Sequence, residues 1–321
     1  MTFCAKQRLA LVLLCVCLAG CSSIAQPPAS LPAAQPAALP SIQIEVLAHQ
    51  SCEGLGACQG ASIHDGFIYL YGDLYQKEHR SGPGVIRQYS FRPDEHGVPR
   101  LTYTGLKILL TRHGETLINH PTGLTWNPTS GAYLGNTVTK TKKGTIYHLN
   151  WTQMLIDRNL DNAVLNVTDD DLAVQGCRPE FVRHDQRWLL ATADYGQVNN
   201  AVRMYDPELL ANAKSTSEPS VLVERFPCTP WVQQLHWIDA RGLLIIAQNQ
   251  IEGRRWRLTP ACPWKPDAPA DFRAIAAYDE LPFPTELEGF CMIDREYCVL
   301  VNSSSKENVT IGRLKVLKEA K

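Results

Sequence analysis

Five short oxygen-bearing side chains, Asp73, Asn136, Asp194, Asn249 and Asn302, each end an apolar strand pattern, and they recur roughly 50–65 positions apart. Before each paired pattern lies an entry segment with more polar chemistry: Gln59, His120, Arg178, Glu180, Trp231, Gln233, Glu286 and Glu288. Gathered in one place, such groups are costly to desolvate unless water, a hard cation or a polar ligand fills the space between them. Carboxylates mixed with amide oxygens suit Ca²⁺, which takes six to eight oxygens in loose geometry. Glu180, Asp194 and Glu288 are the metal candidates, and the wider ligand set is Asp73, Asn136, Arg178, Glu180, Asp194, Trp231, Asn249, Glu288 and Asn302. A structural role competes with this, because Asp or Asn at a strand end caps a turn through its own side chain. Two carboxylates at a set separation could also hydrolyse a glycosidic bond, but linear spacing selects no pair among Asp73, Asp194, Glu180 and Glu288. The nucleophile elbow, zinc helix, phosphate loop and redox dithiol motifs are all missing. No catalytic residue is therefore assigned.

Positioning these groups falls to a repeated hairpin. Pro121–Asn136 reads as an apolar strand, a turn on Asn127, Pro128 and Gly131, and a second strand. The same phrase returns in Gly60–Asp73, Glu180–Asp194, Gln234–Asn249 and Glu288–Asn302. Two further strand patterns follow each hairpin: Val85–Phe91 and Leu101–Leu110, Thr145–Trp151 and Ala163–Val167, Ala201–Tyr205 and Val221–Phe226, Arg254–Leu258 and Phe272–Tyr278. After Asn302 only Val309–Val316 remains, so Ile42–Ala48 is expected to supply the missing strand and close a ring without exposed edges. Short strands at this period predict an all-β propeller of about five four-stranded blades, with a degenerate sixth within Leu101–His120 as the alternative. Trp126, Trp188, Trp237, Phe67 and Phe290 are expected to pack between blades. Asp169–Asp171 reads as a solvated loop or helix start.

These phrases resemble the lactonase, NHL and SdiA-regulated group of secreted propellers, through the Pro121–Asn136 hairpin and the TELEGF segment at Thr285–Phe290. The resemblance implies a mouth Ca²⁺ held by Glu288 or Glu180, Asn136 or Asn249, and Asp194. Two departures stand out: five intervals where those families show six, and Arg178, which would repel a cation.

The first 20 residues read as a signal peptide, with Lys6 and Arg8 preceding the short apolar run Leu9–Leu18. Leu18-Ala19-Gly20-Cys21 resembles a bacterial lipobox, which implies cleavage before Cys21 and acylation of that cysteine; an ordinary signal cleaved nearby is the alternative. Ser22 after the cysteine implies the outer membrane rather than inner-membrane retention, with the domain facing the periplasm. Residues 21–40 form a Pro/Ala-rich tether, and 41–321 form the propeller domain. The charge balance, 31 Lys and Arg against 32 Asp and Glu, gives no footprint for nucleic acid. Seven cysteines then remain, Cys52, Cys58, Cys177, Cys228, Cys262, Cys291 and Cys298. Candidate bridges are Cys291–Cys298 across a hairpin and Cys52–Cys58 across a small loop; a soft-metal site of Cys58, Cys177 and Cys228 with His120 is a further alternative. The functional expectation is a membrane-anchored propeller that binds a small polar ligand or an envelope protein at its mouth. Its rival is a calcium-dependent hydrolase of a lactone, phosphate ester or glycan in the same mouth.

Overall fold

A computed structural model describes residues 41–74, 82–127, 129–138, 143–184, 186–228, 230–251, 255–261, 285–304 and 306–317. The signal segment, Cys21, the tether, Cys262 and the strand expected at Phe272–Tyr278 lie outside the described residues.

The chain is a five-bladed β-propeller. Blade one is the antiparallel sheet β2 (Cys58–His64), β3 (Phe67–Asp73), β4 (Gly84–Pro93) and β5 (Pro99–Leu109). Beyond β5, the stretch that left room for a sixth blade holds only the two-residue strands β6 (Thr111–Arg112) and β7 (Glu115–Thr116). Blade two is β8 (Pro121–Asn127), β9 (Gly131–Val138), β10 (Lys143–Leu149) and β11 (Val164–Asp170); blade three is β12 (Glu180–His184), β13 (Arg187–Ala193), β14 (Ala201–Tyr205) and β15 (Leu222–Pro227). Blade four shows β16 (Val232–Ile238), β17 (Leu243–Ile251) and β18 (Arg255–Ala261) among the described residues. Blade five is β19 (Leu287–Met292), β20 (Tyr297–Asn302) and β21 (Val309–Leu317), completed by the first of the described strands, β1 (Ser41–Gln50). That strand pairs antiparallel with β21 from Ser41↔Leu317 to Gln50↔Val309, so the ring closes where the sequence pattern placed it.

Why these strands are apolar nearly throughout follows from the packing. Each of five hydrophobic clusters lies between two neighbouring blades. Leu70, Val85 and Tyr89 of blade one meet Cys291, Val299 and Ile311 of blade five, while Tyr69, Tyr71 and Ile108 of the same blade meet Leu124, Leu134 and Tyr147 of blade two. A sheet buried on both faces loses the polar half of its alternation. Of the aromatic residues assigned to this packing, Phe290 and Trp237 are buried, and Trp126 and Trp188 pack partly buried. Phe67 does not belong to it: it starts β3 beside the Asp65-Gly66 turn and is 36% exposed.

The innermost strand of each blade is a sheet edge, and its N–H and C=O groups need partners. Side chains from other blades supply them. Ser62 Oγ donates to Leu124 O. Phe181 N donates to Thr125 Oγ1 (3.1 Å), Trp237 N to Glu180 Oε1 (2.9 Å) and Met292 N to His236 Nε2 (3.1 Å). Gln234 completes the circuit, accepting from Ala61 N (3.2 Å) and donating to Ala61 O (2.6 Å). It reaches blade one over Gly289, where any Cβ would collide with Gln234 Oε1.

No disulfide joins the six described cysteines. In the β19–β20 ladder Cys298 pairs with Met292 and Cys291 with Val299. That single-residue offset sends the two thiols to opposite faces of blade five, into different cores. Cys52 and Cys58 are both buried and unbridged, and burial pushes the Cys52 thiol up to about 12. Iodoacetamide followed by mass spectrometry is expected to leave Cys52, Cys58, Cys177, Cys291 and Cys298 unlabelled in native protein and to label all five in denaturant.

Candidate functional site

Five equivalent backbone bonds define the mouth. Asp73 N donates to Ala57 O, Thr137 N to His120 O, Tyr195 N to Gln175 O, Asn249 N to Trp231 O and Ser303 N to Glu286 O. Each ties the end of a second strand to the entry of the first, and together they set the register of the rim. In that register the five strand-ending residues fall into two groups. Asp73 and Asn249 occupy equivalent places, whereas Asn136, Asp194 and Asn302 lie one residue earlier. Neighbouring residues on a strand face opposite ways.

The three shifted residues are engaged by the scaffold. Asn136 Oδ1 accepts from His120 N (3.2 Å). Asn302 Oδ1 accepts from Thr285 Oγ1 and Ser304 N, and its amide donates to Glu307 O. Asp194, fully buried, accepts from Val174 N (2.8 Å), Ala201 N (3.2 Å) and Arg203 Nη1 (2.8 Å). Arg203 extends on to Asp170 of blade two (Nη2···Oδ2 3.5 Å), which also accepts from Tyr205 Oη and Thr216 Oγ1. Asp170 therefore closes β11 in a buried network, not in the solvated loop its acidic neighbours imply.

The other residues build the rim. Asp73 Oδ2 sits 3.3 Å from His120 Nδ1. Tyr195 Oη donates to Asn249 Oδ1 (3.4 Å), whose amide donates to Glu286 Oε2 (3.3 Å). Trp231 lies edge-on to Tyr195, ring centroids 5.3 Å apart, and holds a left-handed backbone, φ +63°. A bulky residue in that region is strained, and the surrounding rim contacts must hold it there. The Arg178 guanidinium stands over the Tyr195 ring at 5.2 Å.

Bulges recur at the start of the first strands, between Cys58 and Gly60, Pro121 and Leu124, Val232 and Gln234, and Leu287 and Gly289. A bulge adds a residue without a cross-strand partner and re-aims its side chain. Gln59, Thr122, Gln233 and Glu288 occupy these places, and all four are buried polar residues. Burial and then the neighbouring Glu286 hold the Glu288 carboxyl well above the usual carboxylate range; Arg178 opposes this and Asp73 adds to it. Glu288, Glu286, Arg178 and Asp73, from blades five, three and one, thus share one electrostatic environment. Within it two buried polar atoms have no hydrogen-bond partner among the described residues: Asp73 Oδ1, an acceptor, and Arg178 Nε, a donor. Beside the mouth, between blades one and five, runs a groove of about 790 Å³ lined by Ala57, Leu74, Thr285, Ser303, Ser304 and Asn308.

Glu180 stands apart from this group. Its carboxyl is bonded to Trp237 N deeper in the hub, at the level of Thr125 and His236. Among the described residues no three carboxylate, imidazole or thiol side chains come close enough to hold a metal ion. Glu180, Asp194 and Glu288 do not converge as one ligand set, and the oxygens of Asp194 are committed to Arg203 and to backbone donors. The residues present do not fit the calcium ion that the resemblance implies. Nor do Cys58, Cys177, Cys228 and His120 form a metal group.

Tyr195, Arg203 and the bulges were not found by sequence reasoning. Tyr195 directly follows Asp194 and carried no strand-end pattern of its own. The bulges leave the apolar runs intact and show only as polar residues near each strand start.

No protein-family model matches the sequence, and no curated protein does. Solved structures do. A glutaminyl cyclase from Myxococcus xanthus aligns with a TM-score of 0.50 at 13% identity, over 87% of this chain and 100% of that one. A GH43 β-1,3-galactosidase aligns at 0.50 with 8% identity, over 83% and 93%. The periplasmic gluconolactonase of Pseudomonas aeruginosa aligns at 0.38 with 14% identity, over 82% and 76%. At these identities the likeness is one of fold.

Proposed function

We propose that this chain is a membrane-anchored propeller, held at the outer membrane through Cys21 and facing the periplasm, that binds a polar polyhydroxylated ligand at its mouth. The observation carrying the reading is the pair of buried, unpartnered atoms, Asp73 Oδ1 and Arg178 Nε, on two blades of one rim. Buried polar groups are paired in native proteins, and a ligand hydroxyl donates to the first and accepts from the second. The Trp231–Tyr195 pair offers an aromatic face for the carbon side of a sugar-like ring. The adjoining groove has room for further units of an extended ligand.

Titration of the full chain with neutral oligosaccharides, followed by tryptophan fluorescence, tests this. Saturable quenching is expected, lost in Trp231→Ala and weakened about tenfold in Arg178→Gln and Asp73→Asn, as for about 1.4 kcal/mol of lost hydrogen bonding. Mouth variants that only lower Tm, with no saturable binding in the parent, would end the proposal. A second reading has one observation in its favour: burial holds the Glu288 carboxyl well above the usual carboxylate range, in the same electrostatic surroundings as Asp73, as a general acid requires. Hydrolysis of an aryl glycoside, abolished by Glu288→Gln, would turn the binding site into a catalytic one.

A further inference from the structure

At the other end of the hub from the mouth lies a second cavity, of about 190 Å³. Its walls come from four blades, chiefly Thr125, Trp126, Glu180, Trp188, His236 and Trp237. Three indoles and two carboxyl groups, those of Glu180 and Asp239, therefore line one cavity. A void of ~150 Å³ takes up a benzene-sized molecule, so this one has room for a small organic ligand. We propose that this cavity is a binding site for a small organic ammonium ion, held by the Glu180 carboxylate and the tryptophan faces.

The chemistry of the lining selects positive charge. Indole is the best side chain for attracting a cation to its face, and the attraction grows when water is excluded. Glu180 Oε1 already accepts from Trp237 N, which fixes the carboxyl within the wall. His236 does not supply a competing cation. Its Nε2 accepts from Met292 N, so the ring proton is on Nδ1, facing Glu180 Oε1 at 3.7 Å. Burial lowers the His236 pKa to about 4, and the ring is neutral at physiological pH. The remaining groups that act on Glu180 from the packed elements are Thr125 on β8, Tyr71 on β3 and Cys291 on β19, all neutral near pH 7. Asp239, which also lines the cavity, pairs with Arg183 (3.4 Å), whose guanidinium stands 6.0 Å from the Trp188 ring centroid, so these two charges offset each other and leave Glu180 as the carboxyl without a cation.

Burial raises the Glu180 pKa to about 8, so the empty site is mostly protonated at pH 7. An ammonium ion that enters replaces that proton: the O–H bond breaks, the proton goes to solvent and the carboxylate pairs with the cation. Binding is expected to strengthen about tenfold per pH unit up to about 8 and then to level off. This differs in kind from the mouth, where neutral hydroxyl ligands are expected.

The test is calorimetric titration of the full chain with tetramethylammonium and with neutral tert-butanol, of similar size, in two buffers of different ionisation enthalpy. Expected are saturable cation binding, release of close to one proton at pH 6.5, and binding of tert-butanol at least tenfold weaker. Glu180→Gln, nearly isosteric with the protonated acid, is expected to lose tenfold or more and to release no proton. Trp188→Ala, at the partly exposed edge, is expected to weaken the cation and leave proton release intact. Absence of cation binding, equal affinity for tert-butanol, or unchanged affinity in folded Glu180→Gln would each overturn the proposal.

Discussion

Replacing Arg203 by methionine is expected to lower the unfolding free energy by about 3–5 kcal/mol, the range for removing one partner of a buried ion pair. Arg203 is 3% exposed and bridges two fully buried carboxyl groups, Asp194 of its own blade and Asp170 of the blade before. Its Nε also donates to Tyr205 Oη (2.9 Å), which in turn donates to Asp170 Oδ1 (2.7 Å). Methionine fills much of the volume and restores none of these bonds, so both acids are left without their cation in a medium of low dielectric constant. Burial already raises the Asp170 pKa against the pull of Arg203, and in the variant it is expected to take up a proton. Urea unfolding followed by fluorescence measures the loss. A change below about 1 kcal/mol would show that the network adds little stability. Arg203→Lys is expected to recover only part, because an ammonium cannot reproduce the planar fork reaching three acceptors.

Raising the pH from 6.5 to 8 is expected to remove about 2 kcal/mol of stability through Glu180. The sign follows from the direction of its shift. Folded Glu180 holds its proton up to about 8, whereas the unfolded carboxyl is ionised throughout this range. The folded state thus binds more protons, and stability falls as pH rises. His236 acts in the opposite sense but at lower pH: its folded pKa of about 4 lies below the unfolded value of 6.5, so its destabilising effect is confined to pH values below about 6.5. Glu288, raised by the same burial, adds to the slope from the mouth side. Unfolding curves at pH 6.5, 7.2 and 8 should therefore show Glu180→Gln losing about 2 kcal/mol less than the parent. An identical slope in the two proteins would mean that Glu180 is ionised in the folded state.

Much of this architecture is legible because the blade repeat is local. Asp65-Gly66, Asn127 and Asp294 mark hairpin turns, and the apolar runs around them form the strands expected. Even the closing strand was visible, since Ile42–Ala48 alternates and has no local partner. What escaped is whatever depends on a shift of one residue or on contacts between blades. Cys291 and Cys298 look opposed if the turn is centred on Asp294-Arg295, and the ladder offset separates them. Asn136, Asp194 and Asn302 look equivalent to Asp73 and Asn249, and the rim register divides them. The hub groups Ser62, Thr125, Gln234 and His236 occupy ordinary strand positions, and their partners lie on other blades, far away in sequence.

The pairing of β1 with β21 has a temporal consequence. Its partners are about 260 to 280 residues apart, as far as any two strands here can be. The strand made first must wait for the one made last, and the entropy of closing so long a loop is met only at the final step. Until then a nascent chain exposes two unpaired strand edges, β1 itself and the strand at the growing end, where another chain could dock. Truncation before Val309 would prolong that state indefinitely, so a chain lacking only β21 should yield aggregate rather than a slightly shortened wheel.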